Sequence, residues 1–475
     1  MTSTIATDRT GPRAPTSFSE VALIRAAAGE PGAELELTDD GAVLRRSILP
    51  GGVRVITESV PGLRSAGLGM WFGVGSRDEA AGQEGSTHFL EHLLFKGTAR
   101  RDARAIAEAF DFIGGESNAA TSKEHTSYYA RVQGQDCLEA LDVLADMVTS
   151  SLLDPKDVET ERGVIISELA DAADDPLDVA REAFARAAFG EGTPLGRPIG
   201  GTPEAVAAVP RDAVWDHYKR TYGADSLVVA AAGAVEHEEV CERVAADLEA
   251  AGWDASASAR PRERRFETVA PAPPAMTDVE IVRECEQSHV YLACPGIGVR
   301  DERRWPMSVL TTILGGGMSS RLFQEVRERR GLAYSTYAFD APYAGAGAFG
   351  LYAGCAPRDV EEVCAVMVGE FERLAADGVS ERELRRARGQ IRGAMVLGGE
   401  DSLSRMGRLG RGEVVTGRLR SMEENLRLLD AVTAEQVREL AAWLVGRARA
   451  RVLVGPGATG SRGPSVSGAG RRRRR

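Results

Sequence analysis

The chain has 475 residues, of which 43% are hydrophobic and 27% are charged, and its formal net charge at pH 7 is −12. This length indicates two to three globular domains. No apolar run approaches the roughly 20 residues that span a bilayer, so we expect no membrane segment. The acidic net charge argues against nucleic acid as the main partner.

The start of the sequence, Met1 to Glu34, has no basic stretch followed by an apolar core, so we expect no export signal. We expect residues 1–40 to form a disordered extension. The six cysteines show no Cys-x-x-Cys spacing, which is typical of reduced thiols and not of a metal site. The expected location of the protein is therefore the cytoplasm.

Ordered structure is predicted to begin just after this extension. Residues 43–59 have the pattern of a hairpin around a Pro-Gly-Gly turn, and residues 65–75 have the pattern of the next strand. Helical and strand patterns then alternate along the chain. We therefore predict a first domain over residues 41–250.

Two histidines four residues apart lie in the string His88-Phe89-Leu90-Glu91-His92. At positions i and i+4 of a helix both imidazoles lie on one face, and Glu91 projects toward the same point. Such a set can supply two zinc ligands and the general base of a hydrolase. The order inverts the commoner His-Glu-x-x-His string and is a known zincin variant.

The flanking residues predict the required helix, because Ser86 or Thr87 can cap its start and Gly97 can end it. The alternative is a histidine pair that is solvated or packed in the core. Only 6 of the 475 residues are histidine, so a chance match to this pattern is on the order of one per cent. The sequence therefore favours a metal-binding helix.

A second helix is predicted to begin at Asp154-Pro155 and to run to about residue 170. Glu161 and Glu168 are seven residues apart on it, which is two helical turns, so both carboxylates face the same way. Glu168 is the candidate third zinc ligand. The alternative is an acidic helix face turned to water, which is the usual place of such residues.

The string His88-x-x-Glu91-His92, followed after 75 further residues by Glu168, resembles the pitrilysin/insulinase family of zinc metallopeptidases. Spacing and size are most similar to the β-subunit of the mitochondrial processing peptidase and its two-domain bacterial relatives. The resemblance implies one Zn²⁺ per chain, held by His88, His92 and Glu168. It also implies that Glu91 is the general base and that Glu161 orients a ligand.

Residues 251–276 are rich in Ala, Ser, Arg and Pro and are predicted to form a linker. A second mixed unit follows over residues 277–455 and starts with a strand at residues 289–295. Its length and element order are similar to those of the first domain, which indicates a structural repeat. The resemblance implies an α+β fold of two tandem, structurally similar domains, each a mostly antiparallel sheet packed with helices, with metal only in the first.

The C-terminal residues 456–475 are rich in Gly and Ser and end in five arginines. Blocks of like charge beside small residues stay disordered, so we predict a disordered basic tail. The alternative is a segment that binds RNA or an acidic surface. A solvated tail is the favoured interpretation.

Residues 114–121 contain two glycines followed by Asn118 and Ala119, and residues 126–132 alternate as a strand does. In relatives this region is an edge strand whose main chain pairs with an extended peptide. The resemblance therefore implies that Asn118 and Ala119 contact the substrate. An ordinary strand inside the core sheet is the alternative. His125 is interpreted as structural and not as a ligand.

The resemblance implies further substrate contacts. Arg327 and Tyr334 match an arginine and a tyrosine that, in relatives, reach the substrate near the zinc ion from the C-terminal domain. Asp178 and Glu182, ten and fourteen residues beyond the glutamate ligand, match two acidic residues that bind an arginine upstream of the cut. They also suit an exposed helix. Phe95 matches an aromatic wall for the residue after the cut.

Together these features predict a zinc-dependent endopeptidase that cleaves peptides or unfolded segments inside a chamber closed by two chains, with a preference for basic residues near the cut. We expect a homodimer, or a heterodimer with a related subunit. The alternative is a catalytically inactive structural subunit of the same fold, like the core proteins of respiratory complex III. Retention of all five metal-site positions favours the enzyme.

Overall fold

The computed structural model describes residues 16–272 and 274–456, which form two domains of mixed helix and sheet. The strands of the N-terminal domain are β1 (Thr16–Ser17), β2 (Glu20–Ala22), β3 (Leu35–Asp39), β4 (Ala42–Leu49), β5 (Val53–Ser59), β6 (Ser65–Phe72), β7 (Glu116–Thr121), β8 (Thr126–Gln133) and β9 (Leu227–Gly233). Its helices are α1 (Ser86–Leu94), α2 (Ala103–Phe112), α3 (Cys137–Ser150), α4 (Pro155–Asp174), α5 (Pro176–Phe189), α6 (Pro203–Ala208), α7 (Arg211–Thr221) and α8 (His237–Ala250).

A short helix, α9 (Arg265–Thr268), lies in the linker. The strands of the C-terminal half are β10 (Val279–Val282), β11 (Ser288–Pro295), β12 (Ala333–Tyr343), β13 (Ala346–Cys355), β14 (Arg418–Arg420) and β15 (Ala450–Gly455). Its helices are α10 (Arg304–Gly315), α11 (Val360–Asp377), α12 (Glu381–Gly398), α13 (Ser402–Arg411), α14 (Met422–Asp430) and α15 (Ala434–Val445). Two segments, Phe323–Glu328 and Gly412–Thr416, are π-helical.

The two large sheets share one topology. The eight-stranded sheet has the order β1-β3-β4-β5-β9-β6-β8-β7, and the five-stranded sheet has the order β10-β15-β11-β13-β12. Numbered along the chain, the five strands β5 to β9 and the five strands of the second sheet both follow the order 1-5-2-4-3. In each set the first pair is parallel and the other three are antiparallel. The predicted α+β fold of two similar, mostly antiparallel domains is therefore confirmed.

The domains exchange one helix each. One face of each sheet packs against helices of its own domain, and the other face packs against a helix of the other domain. From the N-terminal domain, Ala183 and Phe184 of α5 pack against Tyr291 of the C-terminal sheet. From the C-terminal domain, Met406 of α13 packs against Trp71 of the N-terminal sheet. Each core is thus completed by the other half of the chain.

The N-terminal extension differs from the prediction. Residues 16–40 were expected to be disordered, but they contain β1, β2 and β3. β3 pairs with β4, and β2 pairs with β14 of the C-terminal domain, while Leu23 and Leu37 are buried. β3 and β4 form a hairpin around Asp40-Gly41, a local turn signal that the prediction missed. β2 has no such signal, because its partner β14 lies far along the chain. The rest of the predicted extension, residues 1–15, lies outside the described residues.

The remaining boundaries were predicted from local patterns. The hairpin forms with β4 and β5 around a Pro-Gly-Gly turn, as expected. The described part of the predicted linker contains α9 and is otherwise without helix or strand. The predicted tail lies outside the described residues apart from Pro456. Among the helices that the structure describes, none combines the length and apolarity needed to cross a bilayer.

The exchanged helices predict that the two domains unfold together. The ring of Phe184 lies 5.5 Å from that of Tyr291 and 4.9 Å from that of Phe339, centroid to centroid. We expect Phe184→Ala to lower the free energy of unfolding by about 3–5 kcal/mol, in a single transition followed by urea denaturation. Phe112→Ala is the control, since Phe112 is 87% exposed. Two separate transitions, of which only one shifts, would contradict the shared core.

Candidate metal centre

Helix α1 has two different faces, and this difference positions the metal-binding side chains. His88, Glu91 and His92 lie on its partly exposed face. The opposite face anchors the helix, because apolar burial fixes its rotation about its own axis. Four side chains of that face are fully buried in the N-terminal core: Phe89, Leu90, Leu93 and Leu94.

The start of α1 is capped by a carboxylate from outside the helix. The backbone N–H groups of Gly85 and Thr87 donate to Glu79 at 3.0 and 2.8 Å. Burial raises the pKa of Glu79 to about 7, although these hydrogen bonds oppose the rise. Gly85 has a φ of 92°, and a Cβ at this position would lie 2.6 Å from the carbonyl oxygen of Gly200. Glycine is therefore required here.

The predicted capping residues do not cap the helix. Ser86 Oγ donates to the carbonyl oxygen of Gln83 at 2.6 Å, and Thr87 Oγ1 lies 3.2 Å from His217 Nε2. Both side chains are buried and make these contacts instead of capping the helix. The free backbone N–H groups of the first turn therefore donate to Glu79. The helix ends at Leu94, shortly before the predicted end.

Helix α4 supplies the third candidate ligand. Its start agrees with the Asp-Pro pattern, because the side chain of Asp154 accepts a backbone hydrogen bond of 2.8 Å in the first turn. Val158 and Ile165 are buried in the N-terminal core. Their burial fixes the helix so that Glu161 and Glu168 both face α1.

The side chains of His88, His92 and Glu168 converge. Glu168 Oε2 lies 3.5 Å from His92 Nε2 and 3.9 Å from His88 Nε2, and one donor atom from each residue lies within 4.8 Å of the others. Donor atoms bound to a tetrahedral zinc ion are roughly 3.3 Å apart. Small side-chain rotations therefore suffice, and two imidazoles with one carboxylate are a donor set that zinc accepts in catalytic sites.

The surroundings favour the metal-binding form of each imidazole. Burial and the neighbouring His92 lower the pKa of His88, which favours the neutral ring. A proton on His92 Nδ1 is donated to Glu161 Oε2 at 3.1 Å, which leaves Nε2 free to face Glu168. Glu161 is 3% exposed, and its other oxygen pairs with Lys96 Nζ at 2.8 Å. Glu161 thus contacts a candidate ligand and is itself held in place.

Glu91 lies beside the donor group without belonging to it. Its Oε2 accepts a hydrogen bond from Thr121 Oγ1 at the end of β7, while its Oε1 has no protein donor among the described residues. Neither Thr121 nor Lys96 is among the predicted site residues. Lys96 could have been found from its position four residues after His92 on the same helix. Thr121 is distant in sequence and has no local signal.

Strand β7 lies at the edge of the eight-stranded sheet and pairs on one side only, with β8. Asn118 is opposite Tyr129 in this ladder, and Ala119 is opposite Tyr128. Because Thr121 at the end of the strand contacts Glu91, the free edge of β7 lies close to the candidate metal group. The position at an edge leaves backbone groups available to an added strand.

Two further predicted residues contact the protein interior. His125 stacks on Trp71 with 5.6 Å between ring centroids, and burial lowers the pKa of His125 to about 4. These contacts suit its structural interpretation. Phe95 directly follows α1, and its half-buried ring lies 6.4 Å from that of Tyr128.

Asp178 and Glu182 lie one turn apart on α5. Asp178 Oδ1 accepts a hydrogen bond from Arg181 Nη1 at 2.7 Å. Burial raises the pKa of Glu182, which the positive charge of Lys123 partly offsets. Within the described ranges, no hydrogen bond or ion pair joins either carboxylate to the candidate ligands. The structure therefore brings the two acids near each other, with cationic neighbours.

Arg327 and Tyr334 contact each other in the C-terminal domain. The guanidinium lies 4.4 Å from the centroid of the tyrosine ring and donates to the carbonyl oxygen of Tyr334 at 3.0 Å. Tyr334 is 74% exposed. In the part of the chain that the structure describes, neither residue forms a hydrogen bond or ion pair with the candidate ligands. The predicted pair exists, but the single chain does not join it to the metal group.

Known proteins resemble this chain over most of its length. A sequence profile described as insulinase (peptidase family M16) matches residues 54–203, and one described as peptidase M16 inactive domain matches residues 208–391. An uncharacterized zinc protease from Streptomyces coelicolor is 46% identical over 416 residues, which are 87% of this chain and 90% of that protein. An uncharacterized zinc protease from Bacillus subtilis is 35% identical, covering 87% and 98%. The chain belongs to the insulinase family, peptidase family M16.

Solved structures agree on the fold. A peptidase M16 inactive domain from Pseudomonas fluorescens matches with a TM-score of 0.77 and 21% identity, covering 87% of this chain and 98% of that one. A chain of complex III2 from Candida albicans, with Inz-5 bound, matches with a TM-score of 0.75 and 20% identity, covering 86% and 95%. The family resemblance seen in the sequence is therefore confirmed, and the names of the relatives support a zinc peptidase.

The contact between Glu161 and His92 predicts an effect on metal affinity. Glu161→Gln removes the charge that orients and polarises the imidazole, so we expect zinc to bind about 10–100-fold more weakly, as measured by competition with a chromogenic chelator. Glu159→Gln is the matched control, because Glu159 is exposed on the same helix and pairs with Arg162. Unchanged affinity in Glu161→Gln would exclude an orienting role.

Proposed function

We propose that this chain is a zinc-dependent endopeptidase that cleaves peptides or unfolded segments of proteins. The observation that carries the proposal is the convergence of His88, His92 and Glu168, with their donor atoms within 4.8 Å of one another, beside the carboxylate of Glu91. One zinc ion held by these three ligands would supply a water of lowered pKa and a Lewis acid for the scissile carbonyl.

The chain's own residues provide the proton transfers and the geometry. Glu91 accepts the proton of the attacking water through its free oxygen and passes it to the leaving amine. The hydroxyl of Thr121 holds the other oxygen of Glu91, which aims the base. Glu161 is a positioning residue, since it acts through Nδ1 of His92.

The substrate is held mainly through its backbone. The free edge of β7 at Asn118 and Ala119 can add an extended peptide as a further strand, which leads past Thr121 to the base. Backbone pairing accepts many sequences, so selectivity comes from a few pockets. Phe95 forms the wall beside the residue after the cut, and the acids of α5 favour a basic residue before it.

The exposed pair Arg327 and Tyr334 serves a second chain. A guanidinium and a phenol are suitable donors to a peptide carbonyl or a developing oxyanion. Since no contact joins this pair to the candidate ligands within the described chain, we assign it to the site of a partner in a homodimer, or in a heterodimer with a related subunit. Two chains would then enclose a chamber that admits unfolded or short peptides. We place the enzyme in the cytoplasm.

A catalytically inactive structural subunit is the competing function, since a chain of complex III2 and an M16 inactive domain share this fold. Three features favour catalysis in this chain. The donor set is complete, the base has a free oxygen, and the edge strand beside it is open. A purely structural role requires none of them.

The role of Glu91 can be tested with a long, arginine-containing quenched peptide. Glu91→Gln keeps the shape of the side chain and should lower kcat by about 10²–10⁴-fold, with zinc content unchanged by atomic absorption. Glu108→Gln is the control, because Glu108 is a partly exposed glutamate on α2 that pairs with Arg104. Equal activity of Glu91→Gln and the parent would exclude the assigned base. Zinc binding without activity in either would favour the structural subunit.

The acids of α5 predict a charge preference. In the double variant Asp178→Asn/Glu182→Gln we expect the ratio of kcat/KM for an arginine peptide to that for its citrulline analogue to fall about tenfold. Citrulline matches arginine in shape without its charge, so the ratio isolates the ion pairing. Asp171→Asn/Asp174→Asn, on the exposed face of α4, is the control. An unchanged ratio would remove the pair from the site.

A further inference from the structure

Three buried arginines share one buried glutamate where the two domains meet. Glu413 lies in the π-helical segment of the C-terminal domain, and it is 0% exposed. Arg46 of β4, Arg54 of β5 and Arg264 of the linker surround it and are 1%, 3% and 5% exposed. The formal charge of this group, which we call the junction cluster, is therefore +2.

Only two of the three arginines pair closely with the carboxylate. Arg264 Nη2 donates to Glu413 Oε2 at 2.9 Å, and Arg46 Nε donates to Glu413 Oε1. Arg54 Nη1 lies 4.0 Å from Glu413 Oε2, and its one hydrogen bond within the described chain runs from Nη2 to the carbonyl oxygen of Ser226 at 3.0 Å. Arg54 is thus a buried cation without a carboxylate of its own.

Deprotonation does not remove the excess charge. Burial and the neighbouring cations Arg264 and Arg46 lower the pKa of Arg54 to about 10, which leaves the guanidinium charged at neutral pH. An uncompensated charge away from water is strongly unfavourable unless a counter-charge lies nearby. Glu267 adds a second carboxylate, 4.0 Å from Arg264 Nη1, so one positive charge remains without a counter-charge.

A small cavity lies beside Arg54. Its volume is ≈ 30 Å³, and its lining includes Arg54, Arg262, Arg264 and Arg265. Nε of Arg54 is buried and has no hydrogen-bond partner among the described residues, whereas Nε of Arg265 lies 3.6 Å from Glu124 Oε1. A single water needs about 10–15 Å³, so the cavity has room for a water or a monoatomic ion.

The other charges of the lining are already matched. Arg262 pairs with Asp225 at 3.0 Å, and Arg265 pairs with Asp78. The one acid of the lining, Glu263, pairs with Arg25 at 3.3 Å. The charge that remains next to the cavity is that of the junction cluster.

We propose that this cavity, the Arg54 cavity, binds a monoatomic inorganic anion of the halide class, with chloride as the ion available in ordinary salt. A water would accept the free Nε–H of Arg54 but would leave the charge excess in place, whereas a halide accepts the same N–H and offsets the remaining positive charge. The site joins β5, the linker and the π-helical segment of the C-terminal domain. Bound chloride therefore holds the two domains together, away from the candidate metal group.

Thermal unfolding of the full, zinc-loaded chain tests the site. Chloride is titrated against gluconate at constant ionic strength, since gluconate carries the same charge on a much larger ion. We expect chloride to raise Tm in a saturable manner by about 2–4 °C, and bromide to act in the same way. Identical Tm values in chloride and gluconate would overturn the proposal, because any stabilisation by salt would then come from general charge screening and not from a bound chloride ion.

A variant separates ion binding from structural damage. Arg54→Met keeps the length of the side chain but removes the excess charge, so we expect Tm to become independent of chloride and, in gluconate, to equal or exceed that of the parent. A merely structural role of Arg54 would instead lower Tm equally in both salts. Arg392→Met is the control, since Arg392 is partly exposed and pairs with Asp430 on the surface. It should keep the parent's dependence on chloride.

Crystallography of the unaltered chain gives a test that does not depend on the folding of any variant. Crystals grown or soaked in sodium bromide should show an anomalous peak within contact distance of Arg54 Nε. A bromide peak there, together with the chloride-specific rise in Tm, supports the site. A crystal with bromide only at surface positions would overturn it.

Discussion

The apolar face of α1 is the constraint on which the candidate centre depends. With Phe89 and Leu93 fixed in the core, the opposite side of the helix has one allowed direction, and His88 and His92 must point along it. Helix α4 is fixed in the same manner by Ile165. The candidate metal group is thus a consequence of two buried apolar helix faces. Their packing aligns the donor atoms, which need no direct contact with one another.

The exchanged helices extend this constraint to the whole molecule. α4, which carries Glu168, leads directly into α5, which is packed on the C-terminal sheet. α13, which lies on the N-terminal sheet, leads directly into the segment that carries Glu413. A displacement between the domains would therefore move both the third candidate ligand and the junction cluster. The geometry of the candidate metal group and the packing of the domains are coupled through these two connections.

Local patterns predict the parts of the structure whose cause is local. The spacing of His88 and His92, the Asp-Pro start of α4 and the hairpin turn all act within a few residues, and the structure contains each of them. The hydrogen bond from Thr121 to Glu91 and the pairing of β2 with β14 depend on partners far along the chain. No periodicity records such contacts, so a single sequence does not predict them. The packing of α5 and α13 on the sheet of the other domain is likewise not predicted from a single sequence.

Charge imbalance connects the two sites of the molecule. Of the three carboxylates around the candidate ligands, Glu91, Glu161 and Glu168, only Glu161 pairs with a lysine or arginine among the described residues, Lys96, which leaves an excess of two negative charges. A divalent metal ion balances that excess. The junction cluster has the opposite imbalance, and its burial makes the imbalance more costly there than at a surface. A folded chain keeps such groups only where a counter-ion offsets them, so a buried excess of either sign points to the ion that completes it.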